Sequence, residues 1–298
     1  MDIFTQHEIS EPEDALKSFL QRELRITHNG VVVPFRYYYR AGESIPLIFV
    51  HGWGASATIW SYLALYLPPS TPLVILDLPG HGQNRNLPNL EALIAFDFIF
   101  EVLDTILDLL DQKAILVGHS MGGGIVQNYA LNHRSRVAGL ILVSTALTFR
   151  SFLPPALVDL LISSASRLAE SLGEQFASYL APRFLRESDL PEEIQVTTTR
   201  SLVNTLSTND DSVIVLEYRN LIRPWDGRKT TPLTFPILIL VGELDLLTPL
   251  TQAEEMNMHY PNSLLKIIPQ AHHNLPLFNF KRVGDAMEMF LKLLSPPS

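Results

Sequence analysis

A doubly wound, mostly parallel α/β sheet carrying an inserted helical cap is the fold class this sequence predicts, on three observations. Short apolar runs without alternation recur along the chain, each followed by a loop and a helical stretch: Leu47-Ile48-Phe49-Val50, Leu73-Val74-Ile75-Leu76, Ala114-Ile115-Leu116-Val117 and Leu140-Ile141-Leu142-Val143. Parallel strands covered on both faces require such runs. Helical periodicity over residues 90–110 supplies one crossover between them. Between residues 148 and 230 the strand rhythm stops, and it resumes after Pro236. An insertion between strands, folded as a helical cap, accounts for that interruption.

Taken in order, residues 11–25 read as a short amphipathic helix, with Ala15, Leu16, Phe19, Leu20 and Leu24 at helical spacing between charges. Asn29-Gly30 then reads as a hairpin turn between Leu24-Arg25-Ile26-Thr27 and the run from Val31 to Tyr39. The four buried runs follow, and two more strands are expected late, at Ile237-Leu238-Ile239-Leu240-Val241 and Leu264-Leu265-Lys266-Ile267-Ile268. Residues 1–147 and 231–298 would form the core and 148–230 the cap, which Pro154-Pro155 opens and Arg223-Pro224-Trp225 closes.

At 298 residues with 47% hydrophobic content, the chain is long enough for one large domain or a core with a lid. No run approaches the apolar length that spans a bilayer, and the richest one in the insertion, Ala156-Leu157-Val158-Asp159-Leu160-Leu161-Ile162, carries an acid in its middle. The first eight residues show neither a basic patch nor an apolar core, so no secretory signal is read there and a cytoplasmic location is expected. A net charge of −9 argues against nucleic acid and anionic membrane as partners. The absence of cysteine excludes disulfides and thiolate metal sites. Nothing in the chain fixes an oligomeric state.

The chemistry concentrates at strand ends. Gly118-His119-Ser120-Met121-Gly122-Gly123 lies between a predicted strand and a helix-like stretch. A G-x-S-x-G turn of this kind strains the serine backbone and lifts its hydroxyl out of the sheet edge. Such a serine needs a base, and the base an orienting acid. Asp245, in Gly242-Glu243-Leu244-Asp245, is preferred as the acid over Glu243, which lies nearer the strand and is assigned to bracing the loop. Base candidates are His272 and His273, after the last strand, giving the chain order Ser…Asp…His. The backbone amides of Trp53, in His51-Gly52-Trp53-Gly54, and of Met121 are the expected oxyanion donors. His51, Asp77 and His81 are read as structural, with Asp77 tying loops together.

On these residues the chain resembles enzymes of the α/β-hydrolase fold. His51-Gly52-Trp53-Gly54 matches that family's oxyanion motif, Asp77-Leu78-Pro79-Gly80-His81-Gly82 its characteristic loop, and the residues around Ser120 its nucleophile elbow. Gly242-Glu243-Leu244-Asp245 matches the acid loop and Ala271 to Pro276 the histidine loop, the resemblance covering residues 25–147 and 231–294. Family members commonly have Gly-His at the histidine loop. Aligning Asn274-Leu275-Pro276 with the usual following residues puts the base at His273 and leaves His272 in the glycine slot, with His272 as the alternative. A second departure, Gln83-Asn84 after Gly82 where a serine is frequent, carries no mechanistic meaning.

The resemblance implies a Ser120-His273-Asp245 serine hydrolase acting through an acyl-enzyme, with no metal or organic cofactor. Ser120 stands where dehalogenases and epoxide hydrolases of this fold carry aspartate, and Ile59 where C–C hydrolases of meta-cleavage products carry asparagine before Trp60. The pattern is similar to that of carboxylesterases of the pimeloyl-carrier methyl ester type and of enol-lactonases. The implied substrate is a small-molecule carboxylic ester, lactone or thioester. Alternatives are C–C hydrolysis, a perhydrolase or haloperoxidase-like activity, and a small-molecule receptor that keeps the triad. Phe149, Phe152, Leu153, Leu157, Leu161, Phe176, Tyr179 and Phe184 point to an apolar acyl pocket, although packing of cap on core is the expected role of most of them.

Overall fold

Among the described residues eight strands make one sheet: β1 (Leu20–His28), β2 (Val31–Arg40), β3 (Leu47–Val50), β4 (Leu73–Leu76), β5 (Ala114–His119), β6 (Val137–Val143), β7 (Ile237–Gly242) and β8 (Ser263–Ile268). Their order is β1-β2-β4-β3-β5-β6-β7-β8. β1 and β2 are antiparallel to each other, and β2 is antiparallel to β4; every pairing from β4 to β8 is parallel. The computed structural model describes residues 3–4, 9–149 and 188–294.

The buried runs behave as their composition requires. β3, β4, β5 and β7 are buried at every position. Alternate residues feed two separate cores: Ile48, Val50, Val74, Leu76 and Leu116 one face, Leu47, Phe49, Leu73, Ile75, Ile115 and Val117 the other. Helices α4 (Phe96–Leu110) and α5 (Met121–Asn132) cover the first face. Helices α2 (Ser61–Tyr66) and α10 (Phe280–Leu294) cover the second. The predicted hairpin turn is present, with positive φ at both Asn29 (48°) and Gly30 (79°), as a type I′ turn demands.

Two expectations are corrected. The helix read over residues 11–25 is only α1 (Pro12–Leu16); from Leu20 onward the chain is already β1. Leu24, Ile26 and His28 are buried between exposed neighbours, a period of two. The nine-residue ladder to β2 satisfies the backbone there and overrides the local helical spacing. The crossover over residues 90–110 is likewise two helices, α3 (Leu90–Leu93) and α4, because Ala95 is extended (φ −151°, ψ 154°) between them.

In the region expected to be the cap, the described part holds α6 (Glu192–Ser207), α7 (Asp211–Glu217) and a π-helical turn (Tyr218–Ile222). Asp210 caps α7 by accepting from the Ser212 amide at 2.8 Å. Phe149 packs against the core, whereas Pro154-Pro155, Phe152, Leu153, Leu157, Leu161, Phe176, Tyr179 and Phe184 lie outside the described residues. Beyond β7 come α8 (Leu250–His259) and α9 (Leu275–Phe278). Among the described residues no helix is long and apolar enough to cross a membrane.

Leu116, in the middle of β5 with no exposed surface, is the sharpest test of this core. Leu116→Ala should cost about 2–5 kcal/mol, the usual price of a cavity in a close-packed interior. It should appear as a lower denaturant midpoint with an unchanged m-value in chemical unfolding.

Candidate active site

Ser120 occupies the apex of the β5–α5 turn with φ 52° and ψ −120°. A non-glycine residue in that region is strained by roughly 1–3 kcal/mol and needs the surroundings to hold it. Its amide donates to the Val143 carbonyl at the end of β6 (3.0 Å), and its carbonyl accepts from Thr145 Oγ1 (2.7 Å) and the Gly123 amide (2.9 Å). The strand and helix approach so closely that a Cβ at Gly118 would lie 2.5 Å from the Gly122 carbonyl oxygen. Glycine is therefore obligatory at that position.

Asp245 follows β7 and is 3% exposed. Its Oδ1 accepts from the amides of Leu247 and Thr248, both at 2.9 Å, and its Oδ2 from Thr248 Oγ1 at 2.8 Å. His273 Nδ1 donates to the same carboxylate, 2.9 Å from Oδ2 and 3.1 Å from Oδ1. Burial by itself would raise the pKa of Asp245, but the hydrogen bonds from His273 and Thr248 outweigh it and hold the group at about 2. An ionised carboxylate at this position fixes the His273 tautomer, with Nδ1 protonated and Nε2 left as a base.

The adjacent histidine points elsewhere. His272 Nδ1 donates to the Leu244 carbonyl at 3.1 Å, bracing the acid loop against the histidine loop. Glu243 braces the same pair of loops by accepting from the Gln270 amide at 2.8 Å.

Two of the sequence-predicted residues reach each other through one that the sequence did not single out. His119, immediately before Ser120, donates from Nε2 to the His273 carbonyl at 3.0 Å, and the two rings lie 4.9 Å apart. Its only advance signal was its place as the x of G-x-S-x-G. Thr248, which bonds Asp245 and lies 3.3 Å from His273 Nδ1, was also missed.

The loop after β3 closes the arrangement. A Cβ at Gly52 would fall 3.0 Å from Ser120 Cβ and 2.9 Å from His119 Nδ1, so the backbone before Trp53 runs directly against the serine. Met121 opens α5, in the turn where amides have no acceptor within their own helix. His51 is fully buried; it accepts from the Leu78 amide at Nε2 (2.9 Å), and its Nδ1 donates to the Gly52 carbonyl (2.8 Å). Asp77 accepts from the amides of Ala57 (2.7 Å) and Gln83 (3.0 Å), linking two loops, and burial raises its pKa. Among the described residues no cluster of three or more histidines or acids is arranged to hold a metal ion.

A family model described as alpha/beta hydrolase fold matches residues 45–280. A pimeloyl-[acyl-carrier protein] methyl ester esterase of Vibrio campbellii (strain ATCC BAA-1116) is 25% identical over 235 residues, covering 78% of this chain and 89% of that protein. Among solved structures, an esterase from Exiguobacterium antarcticum superposes with a TM-score of 0.72 at 22% identity, covering 91% of this chain and all of its own. A bromoperoxidase from Bacillus anthracis does so with a TM-score of 0.70 at 20% identity, again covering 91% of this chain and 100% of that one.

Burial holds His51 and His119 neutral, each with its pKa lowered to about 3. Unfolded histidine titrates near 6.5, so between about pH 6.5 and 3 the unfolded chain binds protons that the folded chain refuses. Stability contributed by these rings is therefore present above about pH 6.5 and lost as pH falls, by up to about 1.4 kcal/mol per pH unit for each ring. His119→Gln, which keeps a donor for the His273 carbonyl, should flatten the fall in unfolding free energy between pH 6 and pH 5 relative to the wild type. Denaturant titrations at the two pH values measure it.

Proposed function

The chain belongs to the α/β-hydrolase fold family, and from that premise we propose that it is a serine hydrolase cleaving a carboxylic ester or lactone with a small, largely apolar acyl group. The observation that carries this reading is the buried Asp245 carboxylate hydrogen-bonded to His273, whose carbonyl accepts from His119, the residue next to a serine in the strained elbow conformation. His273 Nε2 takes the Ser120 proton as Oγ attacks the substrate carbonyl, and Asp245 stabilises the imidazolium that results. The tetrahedral oxyanion is received by the amides of Trp53 and Met121. Collapse of that intermediate breaks the bond to the alkoxide, which leaves with the proton from His273. Water, deprotonated by the same imidazole, then attacks the acyl-enzyme and releases the acid and Ser120.

Ester chemistry is supported by the curated relatives, which are named methyl ester esterases and which this chain matches over most of their length. We assign residues 148–230 to a cap over the site, supported by the contacts that residues 209–217 make with the loop carrying Trp53. The apolar acyl preference rests on the aromatic and aliphatic content of that segment.

The wild type should turn over p-nitrophenyl acetate and butyrate, and Ser120→Ala should lose about three or more orders of magnitude in kcat/KM. Stoichiometric labelling without turnover, together with tight binding of a ligand, would point to a receptor and defeat the proposal. His273→Ala should abolish the activity, whereas His272→Ala, which removes only a brace to Leu244, should keep much of it. The reverse outcome would transfer the base to His272. A panel of esters, lactones and thioesters of graded acyl length, assayed by kcat/KM, should be ranked in favour of short apolar acyl groups on oxygen.

A further inference from the structure

The loop that carries Trp53 is gripped from outside the sheet. The Gly54 amide donates to Glu217 Oε2 at 3.2 Å, and the Gly54 carbonyl accepts from Asn209 Nδ2. The Trp53 indole donates from Nε1 to the Ile214 carbonyl at 2.9 Å. All three partners come from a single stretch, residues 209–217, more than 150 positions further along the chain. Glu217 has no exposed surface, and its second oxygen pairs with His81 Nε2 at 3.0 Å, itself fully buried. Burial alone would lower the pKa of His81, but the Glu217 carboxylate raises it, so the pair favours the charged imidazole.

A buried carboxylate is costly to retain unless it is paired and hydrogen-bonded, and an apolar side chain would pack in its place at less cost. Its two oxygens here are used on the His81 imidazole and one backbone amide. That amide belongs to the residue after Trp53, in a loop whose Gly54 sits at φ 65° and whose other flank is Gly52. Glycines on both sides leave the intervening peptides free to rotate, and an oxyanion donor contributes fully only when it is already aimed before charge develops.

We propose that Glu217, backed by His81 and assisted by Asn209, is a positioning residue that presets the Trp53 amide toward the oxyanion. It acts through Gly54 and does not touch the substrate. The inference rests on the serine hydrolase reading, because it assigns the loop the task that reading gives it.

The test uses the full chain with Glu217→Leu, Glu217→Gln and Asn209→Ala, read by steady-state kinetics on p-nitrophenyl butyrate and by amide hydrogen exchange of residues 50–57. Glu217→Leu should lower kcat about 10- to 100-fold while KM moves less than about threefold, since a preset donor acts in the transition state. Glu217→Gln should recover most of that loss, because its side-chain carbonyl still accepts from Gly54. Exchange in the loop should quicken in Glu217→Leu and in Asn209→Ala, and Asn209→Ala should lower kcat in the same direction by a smaller factor. An unchanged kcat in Glu217→Leu, a Gln variant as impaired as the Leu variant, or unaltered loop exchange would each overturn the proposal. Should Glu217→Leu fail to fold, unchanged kcat and exchange in Asn209→Ala would do so alone. Loop exchange needs no turnover, so a wild type inactive on every ester ends the hydrolase reading separately, while the exchange data still decide whether Glu217 holds the loop.

Discussion

The close approach of β3, β5 and α5 is the constraint on which the site depends. Side chains at Gly118, Gly122 and Gly52 would collide with the Gly122 carbonyl, the β3-end carbonyls and Ser120 respectively. Their absence lets the turn tighten until Ser120 is driven to positive φ. The strain is not absorbed locally. It is held by bonds to Val143 and Thr145 on and beyond β6, so the order of strands in the sheet, with β5 flanked by β3 and β6, is itself a condition for the conformation of the serine. A parallel sheet delivers this because its carboxyl edge gathers the ends of sequence-distant strands on one side.

Histidine serves opposite purposes within a few ångströms, and environment decides which. Burial keeps His51 and His119 neutral; His51 bonds backbone groups through both ring nitrogens and His119 through Nε2. His81 is as deeply buried but faces Glu217, which favours the charged form. His273 retains some exposure and faces Asp245, whose remaining acceptor capacity is taken up by Thr248 and Leu247. Saturation of that carboxylate matters: an acid with free lone pairs could rotate, whereas this one has a single orientation and so gives the imidazole one as well.

What could be read from the sequence divides along physical lines. Five of the strands were legible because burial on both faces leaves an apolar signature, and β8, half-exposed at the sheet edge, was legible from its apolar composition alone. Ser120, Asp245 and His273 were legible as candidates because each sits in a turn at a strand end with its own local pattern. The split between α1 and β1 was not, since Phe19, Leu20 and Leu24 satisfy a helical period and the overriding term is a ladder to β2. His119, Thr248, Asn209 and Glu217 were invisible for a related reason. His119, Asn209 and Glu217 are defined by partners far away in the chain, and no spacing rule reaches from Gly54 to Glu217; Thr248 lies three residues from Asp245 but in a loop with no periodic pattern to mark it.

The two halves of the proposed chemistry are thus anchored differently. Of the proposed triad, Ser120 and His273 are tied to the sheet through Val143 and His119, and Asp245 is held by Thr248 within its own loop. The loop bearing Trp53 starts on the sheet but is finished by residues 209–217, far along the chain. A change in how that region seats would leave Ser120, His273 and Asp245 in register while altering how the developing negative charge is met. On the proposed reading, transition-state stabilisation would then vary with the seating of residues 209–217, because they hold the loop that bears Trp53. With the sheet edge fixed by glycine contacts this tight, residues 209–217 are, on that reading, where the rate can be adjusted while Ser120 stays in place.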